Sequence, residues 1–502
     1  MMYVTPGWWI FISQQNSNNP TTGLSTNPSG FLLCRGAVNT TGAGCAPGVT
    51  TDPTIGTIQS AGLPLPPAQV NWNQSGSLYG GNIYPSSSDT SVLKCGTNRL
   101  CTAQATDPNL RNAYVFSWSL GLQRVLTNTL TLDVGYVGNH GDKLLQLQYT
   151  NTPFYGAGYC LGYSAAQKAA VTAAGGVCPS TITAATNANA TAAQIGRPLN
   201  TLYPYLSYIY TVQNLNHSNY DGLQTVLTQR PARGLNYTIG YTFSHALDQS
   251  SGERAGPTGT PFDFRHDYSN SDFDIRHRLT ATITYALPGK KGFGGVMQGW
   301  KVTSIITMQT ALPWGILGSR GGANDPSGIQ EFADTWNFFG NPSDFSGLGR
   351  DSVPYIAGSA AINTPACVSK VGAPGSLSYV SLQKYGCYVD GGSVLVPPTI
   401  GSAGNAVRNM FRGNGIKVWD ASLMKDIKIG ERLNAQFRIE AFNILNHVNF
   451  GSPQFNGAGG NTPFTNPSVF GASQSTPDVA NNNPSLGSGG PREFQLGLKL
   501  TF

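Results

Sequence analysis

The densest group of side chains able to do chemistry lies in a short stretch near the middle of the chain. It consists of Arg265, His266, Asp267, Asp272, Asp274, Arg276, His277 and Arg278. A histidine beside a carboxylate can transfer protons, and histidines with carboxylates can bind a metal ion. No nucleophile and no metal-ligand spacing accompanies this group, so we predict neither an enzyme nor a metal site. We expect these charges to lie at the outer end of a strand and to pair with one another.

Eight cysteines form a second group of side chains that could react or bind a metal. They fall into sequence-near couples: Cys34 with Cys45, Cys95 with Cys101, Cys160 with Cys178, and Cys367 with Cys387. An even number grouped in this way indicates disulfides in an oxidising compartment. Eight cysteines allow 105 connectivities, and only closeness in sequence favours this pairing. A zinc site is the alternative, but the chain has no C-x2-C spacing with a nearby pair of histidines.

The C-terminal segment shows which kind of element positions such residues. Phe494, Leu496, Leu498, Leu500 and Phe502 share one face, and Gln495, Gly497, Lys499 and Thr501 share the other. This period of two predicts a β-strand. Apolar residues that alternate with polar ones, up to a terminal aromatic residue, are typical of an outer-membrane barrel. The edge of a soluble sandwich could show the same pattern.

Composition favours the membrane alternative. Only 11% of the 502 residues are charged, against about 25% in an ordinary soluble protein. The 22 Tyr, 22 Phe and 8 Trp are too many for a disordered chain. The net charge is +6, and the sequence has no block of basic residues, so no nucleic-acid partner is predicted. No apolar run approaches the ~18 residues of a spanning helix.

Similar alternation recurs along residues 112–502 and predicts an all-β fold, an antiparallel transmembrane β-barrel with long extracellular loops. The sheet is partial, with about eleven or twelve strands. Residues 1–111 are expected to hold one strand at 1–13 followed by a long loop rich in Gly, Pro and Asn. The predicted strands of the second region are 114–123, 130–136, 143–149, 202–212, 220–230, 235–244, 274–287, 300–310, 416–429, 433–445 and 491–502.

The turns predict how these strands are oriented. A strand at 143–149 is expected to return after a turn at 138–142, and a helix is expected near 165–174. Short turns near Thr127, at 231–234, at 288–294 and at 430–431 all fall on the periplasmic side if the last strand runs inward.

Four charged positions are expected to face the lumen. Arg438 and Glu440 share the polar face of one strand, Lys425 lies on the strand before it, and Arg278 lies on the strand at 274–287. A charge on the lipid face near mid-membrane would cost about 2–4 kcal/mol. The aromatic residues of the strands could stack on a sugar, but as alternating residues they are expected to form the lipid-facing wall and its interfacial girdle. These are Trp118, Tyr136, Tyr241, Phe243, Tyr285 and Trp300.

Six short motifs resemble successive landmarks of the Oar-like TonB-dependent transporters, from about Asp107 to Phe502. The motifs are DPNL at 107–110, GYVGNHG at 135–141, SNYDGLQ at 218–224, YTFSHALD at 241–248, DIRHR at 274–278 and RIEAFNILNHVNF at 438–450. The resemblance implies an outer-membrane barrel of roughly two dozen strands. It also implies an N-terminal plug, energy supplied through TonB, uptake of a bulky solute, and recognition of Phe502 by the barrel-assembly machinery.

The sequence departs from that family at its start. We find no secretory signal, regulatory β-sandwich, plug or TonB box, so the chain is expected to be the C-terminal part of such a barrel. TonB would then act only through a plug that this chain lacks. The expected partners are outer-membrane lipid, the assembly machinery and an unknown solute, without a cofactor. A surface structural or adhesion barrel is the alternative function, and a secreted enzyme on a β-sandwich is a weaker one.

Overall fold

Long antiparallel strands dominate the described part of the chain. The computed structural model describes residues 32–34, 37–39, 101–202, 206–251, 262, 264–289, 296–316, 325–330, 335–429, 433–453, 463, 467–477 and 490–502. The strand predicted at 1–13 lies outside the described residues. The same is true of the side chains of the four cysteines in the first two predicted couples.

The strands and helices follow the chain as named here. The strands are β1 (Leu32–Cys34), β2 (Ala37–Asn39), β3 (Cys101–Thr106), β4 (Tyr114–Thr127), β5 (Leu130–Thr150), β6 (Leu206–Ala232), β7 (Leu235–Asp248), β8 (Ser269–Asn270), β9 (His277–Ala286), β10 (Trp300–Gln309), β11 (Pro313–Trp314), β12 (Asn337–Phe339), β13 (Tyr355–Ile356), β14 (Cys387–Asp390), β15 (Ser393–Val396), β16 (Phe411–Arg412), β17 (Ile416–Ile429), β18 (Leu433–Phe442) and β19 (Glu493–Thr501). The α-helices are α1 (Ala165–Ala173), α2 (Ala190–Ile195), α3 (Gly358–Ala361), α4 (Pro365–Val368) and α5 (Leu377–Tyr385). None of the described helices is long and apolar enough to cross a membrane.

Nine long strands form one continuous sheet, which we call the wall. Their order is β19-β18-β17-β10-β9-β7-β6-β5-β4, and short β3 and β8 pair beside it to give an 11-stranded sheet. Every neighbouring pair in the wall is antiparallel. The short connections and the C-terminus therefore lie at one end of the wall, which we call the inner end. The long connections lie at the other, which we call the outer end. The predicted fold class of an antiparallel, partial barrel is confirmed.

The register separates the wall into a polar face and an apolar face. On the polar face, Thr303 lies opposite both Thr284 and Ser422, and Ser422 lies opposite Glu440. On the apolar face, Leu423 lies opposite Ile439, which lies opposite Leu496. Because cross-strand partners share a face, this sorting extends across all nine strands.

The apolar face is about as tall as the apolar band of an outer-membrane barrel. On β7 it runs from Leu235 through Tyr237, Ile239 and Tyr241 to Phe243. This stretch is about 26 Å long at 3.3 Å per residue. At the usual barrel tilt of about 40° it covers about 20 Å, close to the roughly 25 Å apolar band of outer-membrane barrels.

Two strand assignments from the sequence are wrong. Residues 143–149 do not return as a separate strand, because β5 continues through the predicted turn as far as Thr150. Likewise, residues 206–212 and 220–230, which were predicted as parts of two strands, belong to the single strand β6. The short turns still share one end of the wall, so the predicted orientation does not need the additional strand.

Gly138, one of the turn formers through which β5 continues, allows a close contact with β4. A Cβ atom at Gly138 would lie 2.4 Å from the indole ring of Trp118, which crosses this position from β4. The missing side chain therefore leaves room for the ring on the apolar face. Beyond it the strand is irregular, with register shifts between Gly141 and Gln146 and a positive φ of 53° at Lys143.

The long connections fold into a module beyond the outer end of the wall, which we call the outer module. Its largest core packs the side chains of Trp314, Ile316, Trp336, Phe338, Phe345, Val353, Tyr385, Tyr388, Leu395, Ala406, Phe411 and Phe470. A four-stranded sheet, in the order β12-β15-β14-β13, supports this core. Helix α1 begins at Ser164 with a capping box formed with Gln167, and it occupies the predicted helical stretch.

Disulfides and a half-buried lysine connect parts of the outer module. Cys160 is joined to Cys178, and Cys367 to Cys387, which is the pairing expected from closeness in sequence. Lys384 donates to the carbonyl of Thr186 at 2.5 Å and to Asn187 Oδ1 at 2.7 Å, so α5 is tied to the loop between β5 and β6. Burial lowers the pKa of the Lys384 ammonium group, and nearby Asp325 opposes that shift.

A buried ionic network, which we call the rim lock, attaches the outer module to the wall. Arg408 binds Asp248 at the end of β7, and its Nη1 donates to Asp272 Oδ1 at 2.9 Å. Arg412 binds Asp274, which is 1% exposed and also accepts from Arg276 Nε at 3.0 Å. Within the predicted group, Asp274 and Arg276 therefore pair with each other beside the start of β9. Asp272 and Asp274 also pair with two arginines from a distant segment, which the sequence did not indicate.

Removing the charge of Arg408 should release the outer module locally. In Arg408→Met, the carboxylates of Asp248 and Asp272 lose a buried partner, which costs about 3–5 kcal/mol. We expect protease cleavage within the outer module while the wall keeps its heat-modifiable migration on gels. Arg350→Met, at an exposed arginine of the same module, is the matched control. Equal protease resistance of Arg408→Met and the unchanged protein would contradict the role of the rim lock.

The two faces of the wall should respond oppositely to an added charge. Ile439→Arg places a cation on the apolar face and should lower the free energy of unfolding by about 2–4 kcal/mol. Gln436→Arg, on the polar face of the same strand, should have little effect. Guanidinium unfolding in lipid vesicles measures both variants. Similar losses for the two variants would refute the assignment of the faces.

Candidate functional site

The polar face of the wall is the largest continuous surface with functional potential. Its central strands carry mainly hydroxyl and amide side chains, and Thr284 Oγ1 lies 3.3 Å from Thr303 Oγ1. The residues of this face on β7, β9 and β10 are Asn236, Thr238, Gly240, Thr242, Ser244, Arg278, Thr280, Thr282, Thr284, Lys301, Thr303, Ile305, Thr307 and Gln309. Such a surface can hydrogen-bond water or a hydrophilic solute, and it cannot face lipid.

Arg438 and Glu440 lie on this polar face. Arg438 Nη1 is 3.8 Å from Glu440 Oε1, and Arg438 Nε donates to Gln436 Oε1 at 2.8 Å. Gln436 Nε2 in turn donates to Asp426 Oδ1 at 2.8 Å on β17. These contacts form a polar line across two strands, and both members of the ion pair remain partly exposed. The line could contact a solute or a protein segment inside the barrel.

Arg278 occupies the outer end of the same face. It lies opposite Thr242 on β7 and opposite Gln309 on β10, and its side chain is exposed. Arg278 is therefore far along the wall from Arg438, and the structure does not bring these two predicted lumenal charges into contact.

Lys425 lies on the other face, so the prediction that it faces the lumen is wrong. It is opposite Trp300 on β10 and opposite Phe437 on β18, both on the apolar face. Its ammonium group lies 5.3 Å from the Trp300 ring centroid and donates to the carbonyls of Val296, at 2.9 Å, and Gln298. A long side chain can place its charge at the interface in this way, because the carbonyls near the connection replace water.

The aromatic residues singled out from the sequence also lie on the apolar face. Two of their hydroxyl groups form hydrogen bonds with polar side chains there. The hydroxyl of Tyr136 donates to Asp221 Oδ1 at 2.5 Å, and that of Tyr241 lies 2.8 Å from His277 Nδ1. These pairs lie where the apolar run of each strand ends, as expected of an interfacial girdle. They do not face the polar surface, which removes them as a platform for sugar stacking in the lumen.

Phe502 follows β19 at the inner end of the wall and is 92% exposed. Its position is accessible, as recognition by an assembly factor requires, and its role in assembly stays a prediction.

No group of three or more His, Cys, Asp or Glu residues that could hold a metal ion occurs within the described ranges. The most polar buried site is instead the rim lock. Sequence reasoning missed its residues Arg408, Asn409 and Arg412, because no local pattern marks them. Asn409 Nδ2 donates to the carbonyl of Asn270 at 2.8 Å and to Asp272 Oδ1 at 2.6 Å. Only the fold brings these segments together.

Comparison with known proteins gives a family match and several fold matches. A family model described as outer membrane beta barrel domain matches residues 11–495. No curated protein matches the chain.

The solved structures it resembles are outer-membrane proteins of low sequence identity. The outer membrane transporter YddB from Escherichia coli is 8% identical with a TM-score of 0.34, over 80% of this chain and 34% of that one. The ferripyoverdine receptor of the outer membrane of Pseudomonas aeruginosa is 10% identical with a TM-score of 0.28, over 78% and 27%. The ferric citrate transporter FecA is 11% identical with a TM-score of 0.28, over 78% and 31%. The chain thus spans about a third or less of these proteins.

The family match covers most of the chain, and the two-faced antiparallel wall has the form that the family description requires. The chain therefore belongs to the outer membrane beta barrel domain family, and its place is the bacterial outer membrane.

Proposed function

We propose that this chain is barrel wall from a TonB-dependent transporter of the Oar-like class, which imports a bulky hydrophilic solute. The observation that carries the proposal is the polar face, which continues across all nine strands of the wall. A barrel built on this wall has a hydrated interior. Arg278, Arg438 and Glu440 face that interior and could bind solute or plug.

The geometry of the wall supports a barrel wider than nine strands. The edge strands β4 and β19 are separated by an even number of antiparallel steps, so both run toward the end with the short turns. They cannot pair with each other in the antiparallel manner, and an antiparallel closure needs an odd number of further strands. Unpaired strand edges are not tolerated in lipid. Barrels with many more than eight strands leave room for an aqueous passage.

Four of the six motifs that resemble the Oar-like transporters lie next to one another in the wall. Gly138 of GYVGNHG lies opposite Asp221 of SNYDGLQ, and Asp221 lies opposite His245 of YTFSHALD. The motif DIRHR follows at the start of β9, where His277 pairs with Phe243. Motifs far apart in sequence thus meet near the outer boundary of the apolar face. This clustering supports the resemblance as one feature rather than several coincidences.

Action through TonB would require a plug inside the barrel. The polar line of Asp426, Gln436, Arg438 and Glu440 is a suitable contact for it, because ion pairs and amides can anchor a removable protein segment. The barrel-assembly machinery would recognise the exposed terminal Phe502.

A surface adhesion protein is the second candidate, and the outer module favours it. That module has its own apolar core, a small sheet and two described disulfides, so it could present a stable surface to a partner. In that case the barrel would serve as a membrane anchor for the outer module, and solute uptake would not depend on this protein.

Gene deletion should separate the two functions. In the source bacterium, we expect deletion of this gene to abolish uptake of one bulky solute, found by profiling the medium. Deletion of tonB should abolish the same uptake, and the double deletion should add nothing. Precise removal of residues 317–407 tests adhesion separately. An unchanged uptake profile, with loss of surface attachment in the loop deletion, would overturn transport and support adhesion.

A further inference from the structure

The polar face changes the sign of its charge along β10, β17, β18 and β19. Toward the inner end, the described charges on this face are the cations Lys301, Lys428, Arg438 and Lys499 and the acid Asp426. Toward the outer end, the described charges on the same face of these strands are the acids Asp420, Glu440 and Glu493. One half of this lumenal surface is therefore basic, and the other half is acidic.

The strand register places three lysines of the inner half on the same face. Lys499 lies opposite Gln436, a member of the polar line. Lys428 follows the β17 member of that line by two residues, so it shares the same face. Lys301 lies in the cross-strand row of Arg438, with one residue of β17 between them. All three lysines thus face the interior.

The three lysines form a wide triangle. From strand spacing and rise, the Cα atoms of Lys428 and Lys499 are about 12 Å apart. By the same measure, Lys301 is about 14 Å from Lys428 and about 16 Å from Lys499. A single small anion would contact all three only with fully extended side chains. A protein segment fits this spacing more easily, because acidic residues two or four positions apart on an extended segment are about 7 or 13 Å apart.

The positive charge of these lysines is not neutralised in the described part of the chain, where none of them forms an ion pair with a carboxylate. Lys428 and Lys499 are exposed, and Lys301 is half-buried. The closest described acid on this face is Asp426, whose carboxylate accepts from Gln436 Nε2 at 2.8 Å. Like charges on one surface repel each other, so an acidic partner would stabilise this part of the wall.

The level of the lysines in the membrane indicates which kind of partner can reach them. Lys301 lies in the row of Arg438, near the middle of β18, and Lys428 lies opposite Asn434, the second residue of that strand. The lysines therefore cover the inner half of the interior surface. Lipid headgroups cannot reach this face in a closed barrel, and a solute arriving from outside first meets the acids of the outer half. A protein segment inside the barrel contacts the inner half directly.

We propose that Lys301, Lys428 and Lys499 bind an acidic segment of the plug. The inference rests on the proposed function, to which it adds the charge of the plug surface that contacts this wall. Ammonium groups and carboxylates form charge-assisted hydrogen bonds, and individual pairs near water are weak enough to be broken when the plug moves. The acids of the outer half repel the same segment, so the change of sign fixes its height in the barrel.

Binding of a hexaglutamate peptide with an uncharged fluorophore, measured by anisotropy on the full chain in phosphatidylcholine nanodiscs, tests the proposal. We expect binding that weakens about tenfold between about 50 and about 300 mM salt. Lys301→Gln, Lys428→Gln and Lys499→Gln should each weaken it about threefold. Two controls on the apolar face, Lys417→Gln at the outer end and Arg124→Gln at the inner end, should bind like the unchanged protein.

Asp426→Asn should strengthen peptide binding about threefold, because it removes a carboxylate that competes for the lysines. Its side-chain oxygen can still accept from Gln436 Nε2, so the wall should be preserved. A gain of affinity is not expected if the lysines serve only to keep the strands soluble or paired. Unchanged heat-modifiable migration on gels would show that each variant folds.

Three results would overturn the proposal. The first is equal binding of hexaglutamate and hexalysine, and the second is a loss of affinity in Arg124→Gln as large as that in Lys499→Gln. The third is complete displacement of the peptide by citrate at the same concentration of carboxylates, which would assign the lysines to a small anionic solute. The assay involves neither uptake nor TonB. Loss of this inference would therefore leave the gene-deletion test of transport intact, and an unchanged uptake profile would overturn transport without changing the measured peptide binding.

Discussion

Backbone hydrogen bonding in lipid is the constraint on which this structure depends. The bilayer interior offers no water to the peptide groups, so a spanning strand must pair on both sides. The nine-stranded wall meets this requirement everywhere except at β4 and β19, its two edges in the described chain. Once the strands are paired, strict alternation decides which face of the wall each side chain occupies. Each residue faces either lipid or the interior, and a shift of one position would expose Thr284 and Glu440 to lipid.

Polar groups on the apolar face show how the wall accommodates exceptions. Asp221 accepts from Tyr136, and Lys425 reaches carbonyls near a short connection while it lies against Trp300. Both of these groups lie near a membrane boundary and have a partner. The outer end uses the same solution on a larger scale, since the rim lock pairs Asp248, Asp272 and Asp274 with guanidinium groups. The polar chemistry of the molecule is therefore concentrated at its two ends and on its inner face.

The sequence predicts the features that depend on local alternation. The faces of β18 and β19 follow from a period of two alone, and Arg438 and Glu440 were assigned correctly to one face. Lys425 was misplaced because β17 alternates poorly: Val418 and Met424 share a face with Asp420, so only pairing with Phe437 decides the matter. The stretch 138–142 was interpreted as a turn because Gly, Asn and Asp favour turns. Pairing with β4 and β6 overrides that preference. The contact of Arg408 with Asp248 joins residues far apart in sequence, and no local pattern encodes it.

The two-faced wall is the central claim, and spin-label accessibility along β18 tests it most directly. Single labels at each position from Leu433 to Phe442 would be measured in lipid vesicles, against oxygen dissolved in lipid and a nickel chelate dissolved in water. We expect a period of two, with Ala435, Phe437, Ile439 and Ala441 accessible to oxygen, and Gln436, Arg438 and Glu440 accessible to the chelate. Uniform accessibility to the chelate at every position, or a period near 3.6, would contradict a membrane-spanning strand and the barrel built from it.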